Sequence, residues 1–543
     1  MTNPITQITG SVQQAPTPNL LQQKGALISQ GATTLGVGQT TLLTALADLT
    51  AILNGALALS SLSYSANTVT ATTAAPHGLA GSLWLTIAGA VPAGYNGNFL
   101  CTITGASTFT YQLATNPGSE TTPGTYTEED VAELLAMGTT FFGMGSQVAV
   151  SVLELGPGSP ANGVTALSNF ITQTLPQQFY LYLVPRTWGA EPTFLTLMAS
   201  YEAFTSKTYF LTTLTLQNYS GVTAAMKCAL PLIEAPAQGI WPANVVTAAS
   251  YSDGFITFTT TTNHGVAIGQ WFNMSGFTPA GYNGWFKAKE GTATNSLVAA
   301  VPADPTAESV LGTLNASSGS STGIGTTEFD LADTMWTILS WGLNNLVPPL
   351  QFNYMFGATP FPLKGNAALL STLATANVSY VGTGAEGGIS TSIIFYGKTA
   401  DGNQFNYWYA IDWMQIQGQL NVTNAVIVGS NNSEDPLYYN QQGINTLQSV
   451  LAGVCKTGIG KGLLLGSLAL TELDPSTFAT NVENGVYDGQ VVINAVPFAI
   501  YTSLNPSNYG QGLYGGLAVA FTPQTGFTQI IVNLQAVPLV LGG

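Results

Sequence analysis

The 543-residue chain sets 10 Lys+Arg against 26 Asp+Glu, a formal net charge of −16, and 7% of its residues are charged while 45% are hydrophobic; an ordinary globular domain carries roughly 25% charge. With a single arginine, Arg186, and no basic run, it lacks the positive stripe that neutralising nucleic-acid phosphates demands. Its 24 Phe, 22 Tyr and 9 Trp supply enough apolar surface to fold, and the length points to several domains.

Residues 1–24 are polar, rich in Gln, Thr and Pro and uncharged before Lys24. They lack the charged and apolar regions of a signal peptide and read as an arm, with Ile5, Ile8 and Val12 as its candidate strand residues. Leu42, Ala45, Leu46, Leu49, Ile52, Leu53 and Ala56 then recur at helical spacing and predict an amphipathic helix. Asp48 and Asn54 interrupt the surrounding stretch, Thr41 to Leu62, too early for a membrane span. Cys101, Cys228 and Cys455 are odd in number and far apart, which implies neither a disulfide framework nor a zinc site and fits a reducing compartment.

The strongest sequence feature is an internal repeat. Ser63 to Phe99 realigns without gaps onto Ser250 to Phe286 at an offset of 187, with 18 of 37 positions identical. The shared skeleton includes His77-Gly78 with His264-Gly265, Trp84 with Trp271, and the run PAGYNG at 92–97 and 279–284. Short β-branched and aromatic runs between Gly, Pro and Asn make each copy a small β module, inserted into something larger. Both histidines fall before a glycine at the same place in the copies and read as turn residues, because no Cys, Asp or Glu recurs beside them. Trp84, Tyr95, Trp271 and Tyr282, with Phe99 and Phe286, read as module core more readily than as a ligand platform.

After the first module, Thr127-Glu128-Glu129-Asp130 predicts a hydroxyl N-cap and an acidic first turn ahead of a helix through Val131, Leu134 and Leu135. Next come strand Val148–Leu155, helix Val164–Leu175, strand Phe179–Val184, helix Phe194–Phe204 and strand Tyr209–Leu216, an α/β alternation. The Gly/Ser/Thr-rich stretch Ser317–Thr327 reads as a linker after the second module. Helices are expected at Leu331–Leu346 and Ala367–Ala376. A hairpin of strands Ser392–Tyr396 and Phe405–Ala410 follows, turning near Asp401-Gly402, then a helix from about Asn440 to Val454. The last strands are expected at Gln490–Tyr501 and Gly526–Val537, the latter with Ile530, Val532, Leu534 and Ala536 on one face. Free terminal strands can pair with another subunit's sheet edge or tuck back on their own domain.

Catalytic motifs fail on context. Gly382–Gly387 matches GxGxxG, but a strand follows where a helix N-terminus is needed. Gly319–Gly323 matches GxSxG inside the linker. Gly460-Lys461-Gly462 lacks the first glycine and the metal-binding hydroxyl of a phosphate loop and reads as a helix C-terminal turn. Glu434-Asp435 before Pro436 reads as a turn. No catalytic, cofactor or metal site emerges.

Taken in order, the chain resembles contractile tail sheath proteins of tailed bacteriophages. The resemblance rests on a short arm before an apolar helix, on Tyr126–Leu135 leading to Phe141-Phe142 and a strand, and on Asp412-Trp413, the helix after Tyr438–Gly443 and the terminal strand Thr528–Val537. It implies an α+β multidomain fold: an N-terminal arm (1–24), an α/β sheath domain (25–60 with 123–246), two inserted all-β modules (61–122 and 247–316), a C-terminal sheath core (317–525) and a C-terminal strand (526–543). It further implies a structural, non-enzymatic subunit of the virion tail, assembled in the host cytoplasm. Such subunits stack as hexameric rings around a tail tube and contract to drive it through the host envelope. The implied partners are other copies of the chain, the tube, the baseplate and the tail terminator, with no cofactor, nucleic acid or stable membrane insertion. The basic residues usual in sheath cores are scarce here. A competing reading is a virion decoration or receptor-binding adhesin gripping glycan through Trp84, Tyr95, Trp271 and Tyr282.

Overall fold

The computed structural model describes residues 21–528 apart from 67, 80–81, 114–115, 174–176, 215–225, 234–242, 267–270, 290, 302–303, 316–327, 359, 361–366 and 384–390. β1 (Gly25–Ser29) is buried along its whole length, which erases the alternation that betrays a strand in sequence. β2 (Thr40–Leu43) and α1 (Leu46–Ile52) divide the stretch expected to be one helix. Asp48 is the reason: its Oδ2 accepts from Thr44 N and Thr44 Oγ1 at 2.8 Å and from Ala45 N at 3.1 Å, so the helix starts only after Ala45. Six strands follow, β3 (Leu57–Ser65), β4 (Thr68–Thr73), β5 (Ser82–Ala88), β6 (Gly97–Gly105), β7 (Thr108–Gln112) and β8 (Thr125–Glu128). They close into a barrel in the order β3-β4-β7-β6-β5-β8.

α2 (Glu129–Gly143) continues directly from β8. Its N-cap is Glu128, whose side chain makes no capping bond, and not Thr127, which is still strand. The expected alternation follows in β9 (Val150–Glu154), α3 (Pro160–Gln173), β10 (Leu181–Leu183), α4 (Pro192–Ala199) and β11 (Tyr209–Leu214), with β12 (Ala229–Ile233) added. The second repeat forms β13 (Asn244–Ser252), β14 (Phe255–Thr260), β15 (Trp271–Ser275), β16 (Gly284–Lys287), β17 (Ser296–Ala300) and β18 (Thr313–Leu314). Its order, β16-β15-β18-β13-β14-β17, is the first barrel's order opened at one seam, where an isolated bridge from Ala288 to Ala299 stands in place of a ladder.

The remainder holds α5 (Asp330–Ser340), α6 (Ala367–Thr375), β19 (Ser379–Thr383) and β20 (Ser392–Phe395). The expected second hairpin strand, 405–410, is instead the start of α7 (Phe405–Ser430). Phe405, Tyr409 and Trp413, four residues apart, all enter the core, which is helical spacing. α8 (Gln441–Gly460) begins where Asn440 Oδ1 accepts from Gly443 N at 2.9 Å. β21 (Ser467–Thr471), α9 (Pro475–Glu483) and β22 (Gln490–Ala495) follow. β22 stops short of the expected Tyr501 because Pro497 caps α10 (Phe498–Leu504); α11 (Pro506–Gly510) and β23 (Leu517–Ala520) complete the described chain. The expected linker at 317–327 and all of the last strand beyond 528 lie outside the described residues.

The main sheet runs β2-β9-β1-β10-β11-β12-β19-β20, parallel inside, with antiparallel β2 and β20 at its edges. Alternate strand residues feed two cores. Leu27, Leu181, Leu183 and Leu211 meet Met137 of α2, Met335 of α5 and Tyr409 of α7, while Ala26, Ile28, Tyr182 and Phe210 meet Leu167 of α3 and Phe194 of α4. The three-stranded sheet β21-β22-β23 packs Val491 and Ile493 into the first of these cores with Val454 of α8. Each repeat keeps a core of its own. The fold is a mixed α/β assembly of several sheets with eleven α-helices among the described residues.

Candidate functional site

In open α/β sheets ligands bind where the strand order reverses, here between β1 and β10. Side chains fill that place. Gln30 donates Nε2 to the Gly158 carbonyl at 2.7 Å and the Ser159 carbonyl at 2.5 Å, and its Oε1 accepts from the indole of the fully buried Trp188 at 3.0 Å. A Cβ added to Gly163 would lie 2.6 Å from the Trp188 ring, so the packing leaves no cleft.

The rejected motifs have structural roles. Gly462, at φ +72°, donates its N–H to Ile459 O in the turn that ends α8, and Lys461 Nζ donates to Asn344 O, both at 3.0 Å. Glu434 and Asp435 both donate backbone N–H groups to Asn432 Oδ1, a turn. Gly382 and Thr383 end β19, residues 384–390 and the GxSxG run lie outside the described residues, and β20 follows. Among the described residues no three His, Cys, Asp or Glu are placed to hold a metal, and no helix is long and apolar enough to cross a membrane. The three cysteines are free and buried; burial raises all three thiol pKa values, that of Cys455 to about 11.

The PAGYNG run is a turn device used twice. In each copy a short 3-10 helix, Ala93–Tyr95 or Ala280–Tyr282, carries a tyrosine into the module core. Tyr95 and Tyr282 are each 1% exposed, and their hydroxyls donate to Gly118 O at 2.8 Å and Thr306 O at 2.9 Å. Neither ring is offered to a ligand. Trp84 and Trp271 stand on β5 and β15; their side chains lie outside what is described. The two histidines make one turn: His77 Nδ1 accepts from Leu79 N and His264 Nδ1 from Val266 N, both at 3.0 Å, with Gly78 and Gly265 at φ +70° and +72°.

Buried charge inside the α/β body is mostly carboxylic, with Lys227, 3% exposed, the buried cation among the described residues. Asp412 of α7, fully buried, accepts at Oδ2 from the Tyr180 and Tyr209 hydroxyls, both at 2.9 Å, and clamps α7 onto β11 and the start of β10. Burial outweighs these donors and Lys227, leaving its pKa at about 6. Asp333 of α5, fully buried, accepts from Gly357 N at 3.0 Å and is pushed up to about 7 by burial. Glu128 is pushed up to about 8 by burial and then by Glu154. Asp412 is within a motif singled out in the sequence. Glu154 and Asp333 are not, although an acid closing the apolar run Val150–Leu155 is the kind of local conflict that marks a special position.

The outer surface carries many large apolar side chains. On the distal half of α7, Leu420, Val426, Ile427 and Val428 are 41–57% exposed, and Tyr438, Leu504, Tyr509 and Leu513 are more than half exposed. Gln524 and Gly526 are tied beside the start of α7: Gln404 Nε2 donates to Gly526 O at 2.9 Å, Gly526 N donates back to Gln404 Oε1 at 2.8 Å, and Asn406 Nδ2 donates to Gln524 O at 2.6 Å. Ile5, Ile8, Val12, Ile530, Val532 and Leu534 lie outside the described residues.

No family model matches the chain, and no curated protein does. Among solved structures, a sheath tail protein from Listeria innocua is similar at 8% identity and TM-score 0.35 over 81% of this chain and 85% of that one. A sheath tail protein from Desulfitobacterium hafniense is similar at 10% identity and TM-score 0.31 over 84% of this chain and 90% of that one.

Proposed function

We propose that the chain is the structural subunit of a bacteriophage contractile tail sheath, stacking as hexameric rings around the tail tube and contracting to drive it through the host envelope. The observation that carries this reading is the exposed apolar surface of α7 and the C-terminal region, in a chain with 7% charged residues. Left in water, the exposed side chains of Val426, Ile427, Val428, Tyr438 and Leu504 cost solubility; against other copies they become interface contacts. Scarce charge fits the same role, because ions buried between subunits are costly unless paired.

In this reading the terminal segments 1–24 and 526–543 add strands to sheets of neighbouring copies, through Ile5, Ile8 and Val12 at one end and Ile530, Val532 and Leu534 at the other. The two β modules sit on the outer wall. Tube, baseplate and tail terminator proteins are the other partners, and the extended packing is the metastable one of two, so contraction needs no nucleotide. The test is negative-stain electron microscopy of the purified chain at rising concentration, with and without tube protein as template. Hollow tubes or stacked rings are expected, and they disappear on deleting residues 1–20 or the last strand while the monomer stays folded, the deletion stopping short of Gln22, which is buried and donates to Tyr409 O at 2.9 Å. Polymer retained after both deletions rules out the arm mechanism, and monomers alone, with tube present, rule out the sheath.

A further inference from the structure

Both segments that join the first barrel to the α/β body meet one loop, residues 30–34. On the incoming side Asn54 Nδ2 donates to Gly31 O at 2.7 Å and Thr33 O at 3.1 Å, and Asn54 N donates to Ala32 O at 2.8 Å, just before β3 begins. On the outgoing side stands Glu128, at once the last residue of β8, paired with Leu85 in the barrel wall, and the N-cap of α2. Its carboxyl lies against the same loop, with room only for a glycine there: a Cβ added to Gly31, at φ +88°, would lie 2.9 Å from Glu128 Oε2.

The loop is gripped from its other side by Glu154, the last residue of β9. That carboxylate accepts from Ser29 Oγ (2.6 Å), Gly31 N (2.7 Å), Thr33 N (3.1 Å), Thr33 Oγ1 (2.7 Å) and Gly156 N (2.7 Å). Five donors satisfy Glu154; Glu128 Oε2 has no hydrogen-bond partner among the described residues. The two side chains are in residues 9% and 1% exposed, and neither forms an ion pair among the described residues. Of the other titratable groups, Tyr126 faces Glu128 from the barrel, its pKa raised to about 12 by burial and then by that carboxyl. Farther along α2, Glu133 is paired with Arg186 at 3.4 Å.

Two negative charges flanking one buried glycine repel each other with little water to screen them. We propose that Glu128 and Glu154 make this joint a proton-held hinge: protonated, Glu128 lies neutral against Gly31 and locks the barrel to the body, and deprotonated, it withdraws toward water and frees the loop and the start of α2. A carboxyl raised in the fold stabilises it fully below the ordinary carboxylate range, and that stabilisation is lost as pH rises through about 8. The inference is independent of whether the chain polymerises.

The test is hydrogen exchange on the full chain at pH 6.5 and pH 9, corrected for intrinsic exchange, in wild type and Glu128→Gln. Peptides covering 30–34 and 126–132 are expected to lose up to about thirtyfold more protection in wild type than in Glu128→Gln, the limit for one proton released near pH 8 between pH 6.5 and pH 9. Equal losses in the two proteins, or a difference spread evenly over the chain, overturn the proposal. Should Glu128→Gln not fold, Glu128→Met, similar in length and unable to titrate, takes its place. Should neither fold, a wild-type loss at the joint no larger than at β10 and β11 overturns it.

Discussion

Asn96 and Asn283, 187 residues apart, make the same pair of hydrogen bonds. Asn96 Oδ1 accepts from Ala90 N at 2.8 Å while its Nδ2 donates to Ala90 O at 2.9 Å; Asn283 does the same with Phe277 N and O, both at 2.8 Å. Each amide clips the chain back onto a residue six positions earlier and fixes the turn that delivers Tyr95 or Tyr282 to its core. Replacing either asparagine by alanine leaves two backbone groups without that partner and is expected to cost its module about 1–3 kcal/mol. The modules have separate cores, so the double variant adds the two losses. Asn96→Asp puts an acceptor against the Ala90 carbonyl and is expected to cost more than Asn96→Ala. Denaturant melts followed by exchange of module peptides check both.

The duplication also hides a pair that ungapped alignment passes over. Gly124, at φ +76°, and Gly312 stand at an offset of 188, one residue out of register with the repeat. A Cβ at Gly124 would collide with the Ala88 carbonyl oxygen, and one at Gly312 with the Ser275 carbonyl oxygen, so each glycine lets the closing strand pass its neighbour's backbone. Gly124→Ala and Gly312→Ala are each expected to destabilise their module by about 1–3 kcal/mol, the usual range for overpacking. Thermal melts showing no change in either would mean that the strands slide apart freely.

Such particulars mark how far the sequence carries. The repeat, its turn residues and the α/β alternation around Val148–Leu216 were legible because period, Gly/Pro punctuation and apolar spacing agreed there. β1 was not, because a strand buried on both faces has no alternation. α7 was misread because Phe405, Tyr407 and Tyr409 alternate as a strand would, after an Asp-Gly pair typical of hairpins. That pair does turn the chain: Gly402 is at φ +92°, and the Asp401 carboxylate accepts from Thr399 Oγ1 at 2.5 Å, Asn403 N at 3.0 Å and Trp408 Nε1 at 2.8 Å. The turn leads into a helix because Tyr409 and Trp413 find Trp341 and the sheet, a tertiary contact that no local pattern announces. The buried acids were illegible for the same reason, since only the fold decides which carboxyl is taken out of water.

Those acids set the pH response of the body. The pKa values of Asp412, Asp333 and Glu128 stand at about 6, 7 and 8 in the folded chain, all above the ordinary carboxylate range. Groups raised on folding stabilise fully below their unfolded pKa and lose that contribution as pH rises through the folded value. The melting temperature is therefore expected to fall between pH 5 and pH 9. Asp474 runs the other way: its capping bonds to Ser476 and Thr477 lower its pKa, so its small surface contribution is lost only in acid. Asp333→Asn keeps an acceptor for Gly357 N and removes the titration, so it is expected to flatten the curve near pH 7. Tyr180→Phe removes one of two donors to Asp412 and is expected to cost about 1.5–3 kcal/mol at pH 8, where the carboxylate is charged, and less at pH 5. A melting temperature rising from pH 5 to pH 9 would contradict the assignment of all three groups.

The distal half of α7 separates fold from assembly. Its proximal half, through Met414, is buried against the sheet, whereas Leu420 and Val426–Val428 lie in water on a helix that spans about 39 Å at 1.5 Å per residue. Asn421, Val428, Leu437 and Tyr438 line a cleft of about 480 Å³ there, which α8 shares through Thr446 and Val450. Val426→Thr combined with Ile427→Gln and Val428→Thr removes exposed apolar area while touching little of the core. The triple variant is expected to melt within about 1 kcal/mol of wild type, as surface changes on a helix do. In a sheath it should also lower the sedimentable fraction at a given concentration at least tenfold, since each apolar anchor at an interface centre carries about 1 kcal/mol or more. Unchanged melting with unchanged sedimentation would move the interface off this face, and a collapse of the melt would show that these side chains serve the monomer.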